Sequence, residues 1–369
     1  MTGLYIHIPF CESRCIYCGF YSTVHKEWQD QYVDCLCREM DMRPCDEVST
    51  IYLGGGTPSV LSANNLQRLF SYIYKVYRVR SDAEITMECN PDDVCRSAES
   101  LRVVLGRPVN RISMGGQTFS DSRLRMIRRR HHAKDVRDAV SLLRKAGIGN
   151  ISVDLMFGFP DETLDDWRYD IDEVLALQVE HISAYSLMYE EGTPLYDMLR
   201  QGKVREVDEE LSLRMYDELI DRLTAAGYEH YEISNFCRSG YRSRHNSSYW
   251  HDVPYLGIGA AAHSYNQTTR SWNVADVRRY MESIGRNVLP SECEMLDENT
   301  RYDDMVTTAL RTREGILLER LDEQHRNFLL SCASTWIADG HLVIVNGHLK
   351  LTRRGIPVSN VIMSDLMDV

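Results

Sequence analysis

The chain has 369 residues, 43% hydrophobic and 26% charged, an ordinary globular composition long enough for one large domain or a large domain with a small one. Its formal charge of −12 argues against a general nucleic-acid binder, which needs basic surface to release phosphate counterions. No run approaches the length of a membrane span and the N-terminus passes directly into an alternating strand, so a cytoplasmic protein with no signal peptide is expected.

Apolar, strand-like runs recur along the first half, at Tyr5–Ile8, Ile51–Leu53, Ile85–Met87, Arg111–Met114, Ile151–Met156 and His181–Leu187. Helix-like stretches lie between them. SANNLQRLFSYIYKVYRV (62–79) has Ser62 as a candidate N-cap, and DVRDAVSLLRKAG (135–147) ends on a glycine suited to the position after the helix. Strand, helix, strand at this spacing predicts βα units around a parallel sheet. Six units are too few to close an eight-stranded barrel. The expected fold class is therefore α/β, an open partial (β/α)6 barrel, with a doubly wound sheet as the alternative. DEELSLRMYDELIDRLTAAG (208–227) predicts a helix that packs Leu211, Met215, Leu219 and Leu223 into a core. YEHYEISNF (228–236) is a further strand candidate.

From about residue 295 the pattern changes to helical segments followed by HLVIV-NG-HLKLT, where Asn346-Gly347 signals a tight two-residue hairpin turn. This predicts a small C-terminal α+β domain resembling a winged helix. Such folds often bind DNA, but residues 291–369 carry 8 Lys and Arg against 13 Asp and Glu, so nucleic acid is not the expected partner. The expected organisation is a partial barrel over 1–236, a connecting region over 237–294 and the C-terminal domain over 295–369.

Eleven cysteines are many for a reducing compartment, and an odd number does not make a disulfide framework. Eight are scattered and read as small hydrophobes. Cys11, Cys15 and Cys18 differ: they stand in CESRCIYC, between Pro9 and Gly19, in what reads as a loop wrapped around something. Three ionised thiolates so close repel one another, so a cation belongs among them. Zinc would want a fourth ligand nearby. A [4Fe–4S] cluster normally takes four thiolates, and three would leave one iron open to a small molecule.

CxxxCxxC in the loop after a first strand resembles the signature of the radical S-adenosylmethionine superfamily. The resemblance implies that the open iron chelates the methionyl amino and carboxylate groups, and it implies a partial (β/α)6 barrel. IYLGGGTPS (51–59) runs from a strand into glycines that allow close backbone approach, and fits neither common phosphate-loop pattern. Gly54, Gly55, Gly56 and Thr57 resemble the superfamily motif that meets the cofactor's amino group. Polar residues follow later strands: Glu88 in TMECNP, Gln117 in RISMGGQTF, Arg129 in RMIRRRHH and Asp154 in ISVDLMFGFP. Strand ends form the site in α/β barrels. Carboxylates there can accept bonds from hydroxyls or an ammonium, and an arginine can pair with a carboxylate.

YIHIPFC, GGGTP, TMECNP, RISMGGQTF, DLMFGFP, HISAYSLMYEEGTP and the 295–369 tail resemble the family of oxygen-independent coproporphyrinogen III dehydrogenase and its haem-chaperone relatives, over nearly the whole chain. The resemblance implies cluster or cofactor contacts for Tyr5, Glu88, Gln117, Arg129 and Asp154. Three features favour the haem-chaperone branch. Phe20 stands where the dehydrogenase pattern continues with cysteine, the long arm that precedes the first strand in the dehydrogenase is missing, and RHNSSYW (244–250) resembles the HNxxYW motif of the chaperones. His245 is then a candidate haem-iron ligand, with His251 and His263 as competitors, and Tyr249 and Trp250 are candidate stacking faces. The expected function is to bind haem, a [4Fe–4S] cluster and S-adenosylmethionine and to pass haem to an acceptor protein, with an electron donor for the cluster. The alternative is coproporphyrinogen dehydrogenation.

Overall fold

A computed structural model of the chain describes residues 2–45, 47–96 and 108–368. In chain order its main elements are β1 (Thr2–Ile8), α1 (Gln29–Met42), β2 (Val48–Gly55), α2 (Ala63–Val76), β3 (Val79–Cys89), α3 (Pro91–Arg96), β4 (Arg111–Gln117), α4 (Asp121–Met126), α5 (Ala133–Lys145), β5 (Ile151–Phe157), α6 (Leu164–Ala176), β6 (His181–Ser186), α7 (Pro194–Arg200) and α8 (Glu209–Ala225). There follow β7 (Glu229–Glu232), β8 (Asn235–Cys237), α9 (Arg244–Trp250), β9 (Tyr255–Ile258), β10 (His263–Tyr265), β11 (Thr269–Asn273), α10 (Val277–Gly285), β12 (Ser291–Met295), α11 (Glu298–Ala309), β13 (Ile316–Leu317), α12 (Glu323–Ala338), β14 (Leu342–Val345), β15 (His348–Leu351) and α13 (Ser359–Leu366).

All six expected strands are present, and β1 to β6 pair in parallel in simple sequence order. A doubly wound sheet reverses direction at a switch point, so this order selects the partial barrel. Local chemistry sets the ends of the helices. Ser62 caps α2 by accepting from the Asn65 N–H, Asp208 caps α8 by accepting from Leu211, and Gly147 and Gly227 follow their helices with φ of 93° and 86°. The expected 62–79 helix is shorter than its apolar pattern, because Val79 already begins β3.

Alternation along the strands divides the sheet into two chemistries. Leu4, Ile6, Ile8, Ile51, Leu53, Ile85, Met87, Ile112, Ile151, Val153 and Leu155 pack into the main core with residues of the surrounding helices, such as Leu36, Leu69, Leu143 and Ile171. The intervening positions carry polar groups on the other face, and the register brings them into rows: Tyr5 beside Tyr52, Tyr52 beside Thr86, Thr86 beside Arg111, and Glu88 beside Ser113. Asp154 stands beside Gly115 and Ser183. The helices therefore bury an apolar outer surface, and the sheet curls around a polar interior.

Two stretches fold otherwise than their sequence implies. YEHYEISNF is not one strand but a tight antiparallel pair, β7 and β8, added to the β6 edge. The 237–294 stretch is part of the sheet rather than a connector: β9 pairs in parallel with β1, and β10, β11 and β12 continue antiparallel from it. These strands are only three to five residues long, with their pairing set by β1 far away, so no local pattern marks them. Glu39 of α1 ties this extension down. Completely buried, it accepts from Gly259 N (2.8 Å), Tyr280 O–H (2.6 Å) and Asn273 Nδ2 (2.7 Å), with Arg43 at 3.1 Å.

Residues from Tyr302 to Leu366 form a separate small core with a three-stranded sheet in the order β13-β15-β14. Asn346 and Gly347 turn its hairpin with φ of 51° and 77°, as the NG pair requires. This unit meets the β7 edge through Ile233 N–H to Arg311 O and Arg313 N–H to Tyr231 O, both 3.0 Å.

Candidate functional site

The segment from Pro9 to His25 is a loop, as its flanks implied, and backbone bonds fix its path. Cys11 N–H donates to Thr23 O (2.8 Å), Thr23 N–H to Pro9 O (2.7 Å) and Ile16 N–H to Ile127 O (3.3 Å). Ile16 is buried with Ile127, Met156, Phe159, Leu187 and Leu195, which pins the loop beside the ends of β5 and β6. The glycine run meets it from the other side. Gly56 N–H donates to Ile8 O and Thr57 N–H to Phe10 O, both 2.8 Å. A Cβ on Gly56 would lie 2.8 Å from the Phe10 carbonyl oxygen, so a side chain there would force the two loops apart.

Cys11, Cys15 and Cys18 all line a cavity of about 510 Å³ at this end of the barrel. Tyr5, Gly55, Gly56, Thr57, Glu88, Gln117, Arg129 and Asp154 line it too, whereas Gly54 lies behind, its Cα side turned to Tyr52 and Glu88. Cys11 Sγ is 3.7 Å from the Thr57 hydroxyl, and Arg129 Nη1 is 3.7 Å from Cys15 Sγ. Burial pushes the Cys11 and Cys18 thiols above their ordinary range, so a positive centre is needed to hold them as thiolates.

Glu88 accepts from the Tyr52 O–H (2.7 Å) and the Gly55 N–H (3.1 Å). Burial nevertheless raises its carboxyl to about 7, against the lowering effect of those two bonds. Burial also raises Asp154, which has the Ser113 hydroxyl at 3.4 Å. Gln117 ends β4 with φ of 66°, a left-handed conformation held by the surrounding chain. Arg129 is not at a strand end. It follows α4 in a turn, donates through Nη2 to Gly115 O, and leaves its buried Nε without a partner. Two buried carboxyls with raised pKa, an incompletely bonded guanidinium and three thiols around one cavity suit a zwitterionic ligand beside a cationic cluster. Among the described residues no three His, Cys, Asp or Glu side chains converge as a single metal ion would require, a constraint that a cubane with separate iron corners does not impose.

The 244–250 motif reaches this cavity only through Asn246. It is helix α9, capped by the Ser243 hydroxyl, and the Glu84 carboxylate accepts from the Arg244 and His245 N–H groups at 3.0 Å each, a favourable charge at a helix N-terminus. His245 has no exposed surface. Its Nδ1 is bonded to the Thr50 hydroxyl and its Nε2 to the Tyr249 hydroxyl, both at 2.8 Å, and its ring stacks on Tyr52 at 5.2 Å. Burial lowers its pKa to about 3 and keeps the ring neutral. Both nitrogens being engaged, His245 is not presented to an iron in this conformation. Tyr249 packs edge-on against Tyr255, and Trp250 lies under the Arg311 guanidinium at 5.0 Å. Of this motif it is Asn246, not singled out from sequence, that reaches the cavity. Tyr52, Ser113, Ser183 and Tyr185 also line it, and their alternation along the strands was the available signal.

Residues 5–174 match the model of the radical SAM superfamily. Over 326 residues the chain is 36% identical to the heme chaperone HemW of Lactococcus lactis, covering 88% of this chain and 85% of the relative. With the heme chaperone HemW of Bacillus subtilis the identity is 37% over 332 residues, covering 88% and 87%. The chain belongs to the HemW family. The HemW of Mycobacterium tuberculosis is 31% identical over 374 residues, covering 99% of this chain and 94% of the relative. The structure superposes with a TM-score of 0.83 on the coproporphyrinogen III oxidase HemN of Escherichia coli, a radical SAM enzyme, at 21% identity and covering 100% of this chain and 90% of that one, a likeness of fold. Membership of the radical SAM superfamily implies a [4Fe–4S] cluster and S-adenosylmethionine, and the thiols, carboxyls and guanidinium around the cavity fit that pair. No helix of the described residues is long and apolar enough to cross a membrane.

Proposed function

We propose that this HemW-family chain is a haem carrier: it binds haem, holds a [4Fe–4S] cluster on Cys11, Cys15 and Cys18 with S-adenosylmethionine beside it, and passes haem to an acceptor protein. The observation that carries the cofactor half of this reading is the meeting of those three cysteines with Glu88, Gln117, Arg129 and Asp154 around one cavity. The haem half rests on the relatives, named heme chaperones over most of the chain.

A cluster held by Cys11, Cys15 and Cys18 would supply one-electron reducing chemistry to a sulfonium ligand in this cavity. The residues do the rest. Arg129, with Nη1 beside Cys15 and Nε unpartnered, offers positive charge to thiolate and to a ligand carboxylate. Glu88 and Asp154 accept from an ammonium or from hydroxyls, and Tyr52 and Gly55 keep Glu88 oriented through their donated bonds. The backbone of Gly55 and Gly56 forms a wall that any side chain would thicken. His245 contributes by holding α9 against Thr50 and Tyr52, and through it Asn246 at the cavity. A redox partner must deliver the electron.

The test is an absorption spectrum of the anaerobically reconstituted chain before and after haem titration, followed by haem transfer to apo-acceptor. Expected are a cluster band that Cys11→Ala removes and a Soret band that grows with added haem to one equivalent. Formation of protoporphyrinogen from coproporphyrinogen at turnover would replace this reading with the dehydrogenase. Phe20, at the position where the dehydrogenase pattern has cysteine, weighs against that outcome.

A further inference from the structure

The rim of the cavity carries two kinds of side chain that the cluster and the sulfonium cofactor do not explain. Phe20 and Met188 both border the cavity, yet they leave 73% and 62% of their surface exposed, and Tyr185 presents 43% of its surface beside them. Large apolar side chains held open at one mouth are an unsatisfied apolar surface. On the same rim stand Arg14 and Arg128, both exposed. Among the described residues neither makes an ion pair: Glu12 is taken by Lys26 and Arg96, Asp92 and Asp93 by Arg130 and Arg96, and Glu190, which lines the same cavity, pairs with neither arginine. Arg128 is moreover held in a left-handed conformation, φ 60°. In a chain of net charge −12, two unpaired guanidinium groups beside an apolar patch need an explanation.

From these groups we infer that haem docks at this mouth, on Phe20, Tyr185 and Met188, with its propionates on Arg14 and Arg128 and the Met188 thioether facing the iron. The inference rests on the haem-carrying role proposed above and gives that role a place. Three lines converge on it. The motif histidine, His245, is sealed inside the barrel with both nitrogens bonded, and the exposed His251 and His263 do not line this cavity, so at this mouth the side chain on offer to the iron is the Met188 thioether, an established haem ligand. A cavity of about 510 Å³ is the size of a single small-ligand site, which in general spans about 300–1,000 Å³. Filled by cluster and sulfonium, it leaves a macrocycle only its mouth. Lastly, an apolar plate flanked by two cations matches a flat apolar molecule that carries two carboxylates on one edge. Glu190, on the same rim against Gly19, would oppose a propionate placed near it, which favours an orientation toward the two arginines.

The experiment is haem titration, followed by absorption, of the cluster-loaded full chain and its rim variants, each checked for unchanged iron and sulfide content and circular dichroism. Arg14→Ala with Arg128→Ala should weaken haem binding roughly tenfold for each guanidinium lost, and should leave the affinity for haem dimethyl ester, which has no carboxylates, unchanged. Met188→Leu should preserve affinity within a few-fold and abolish the thioether-to-iron spectral signature. Phe20→Ser with Met188→Ser should weaken haem and its dimethyl ester alike. If wild type binds haem and every rim variant binds it equally, the site assigned here is wrong and the carrier role survives. If wild type binds no haem, the carrier role itself falls, and this site with it.

Discussion

If Glu88 receives the ligand ammonium as proposed above, the binding of S-adenosylmethionine is a titration. Its carboxyl is raised to about 7 by burial, with Asp154 adding to the rise, while the Tyr52 O–H, the Gly55 N–H and the Arg111 charge pull the other way. A ligand ammonium prefers the ionised form, so binding below this pKa must expel a proton. At pH 6 about one-tenth of Glu88 is ionised, and affinity should be roughly tenfold below its value at pH 8, a difference of about 1.4 kcal/mol. The ligand-free chain should show the counterpart. Between the unfolded value of 4.5 and the folded value of about 7 the native state keeps a proton that the unfolded chain has released. Stability contributed by this group is therefore greatest below 4.5 and declines as pH rises through the window, by about 3 kcal/mol in all. The assays are equilibrium dialysis of labelled cofactor against the reconstituted protein from pH 6 to 8, and urea melts of the apo chain from pH 5 to 8, each repeated with Glu88→Gln, which should lose the Glu88 share of each slope while the melts keep the share of Glu162 and Asp170, raised by burial to about 7 and about 6. A flat wild-type affinity, or a Glu88→Gln protein that keeps the slope, would refute the assignment of Glu88 to the ammonium.

Glu39→Ala should lower stability by about 3–5 kcal/mol, measured by denaturant melts, because Gly259 N, the Tyr280 hydroxyl and Asn273 Nδ2 lose their common acceptor in a buried setting. Gly56→Ala should reduce the iron bound per chain on reconstitution while leaving far-ultraviolet dichroism intact, since its Cβ would press on the carbonyl of Phe10 one residue before Cys11. Tyr52→Phe removes a bond that favours the ionised form of Glu88, and should move the pH midpoint of cofactor binding upward while the ring still stacks on His245.

What the sequence made legible was whatever depends on neighbours along the chain. Six apolar runs with helices between them became six parallel strands, Ser62 and Asp208 became caps, Asn346-Gly347 became a turn with both φ positive, and the cysteines lie in a loop between Pro9 and Gly19. What stayed hidden depends on partners distant in sequence. Arg129 belongs to the cavity although it sits on no strand, because the turn after α4 folds back so that its guanidinium reaches Gly115 and Cys15, the latter 114 residues away. The short strands β9 to β12 exist only because β1 offers an edge.

His245 shows why a motif alone does not disclose its role. RSGYRSRHNSSYW reads as a solvated polar loop, and a histidine there reads as reachable. Yet Glu84 lies 161 residues before it and Thr50 lies 195 before it, and together they satisfy its backbone and ring, so the polar stretch folds inward as a helix that plugs the barrel. The same Tyr52 that stacks on His245 donates to Glu88, so the plug and the carboxyl at the cavity share one side chain. A polar barrel interior has to be satisfied from both ends. The thiol loop serves one end and α9 the other, and Asn246 is where they meet the same cavity. A motif that looks like a haem ligand set from its letters is, in the fold, a helix held inward by Glu84 and Thr50, and it touches the cavity through Asn246 alone.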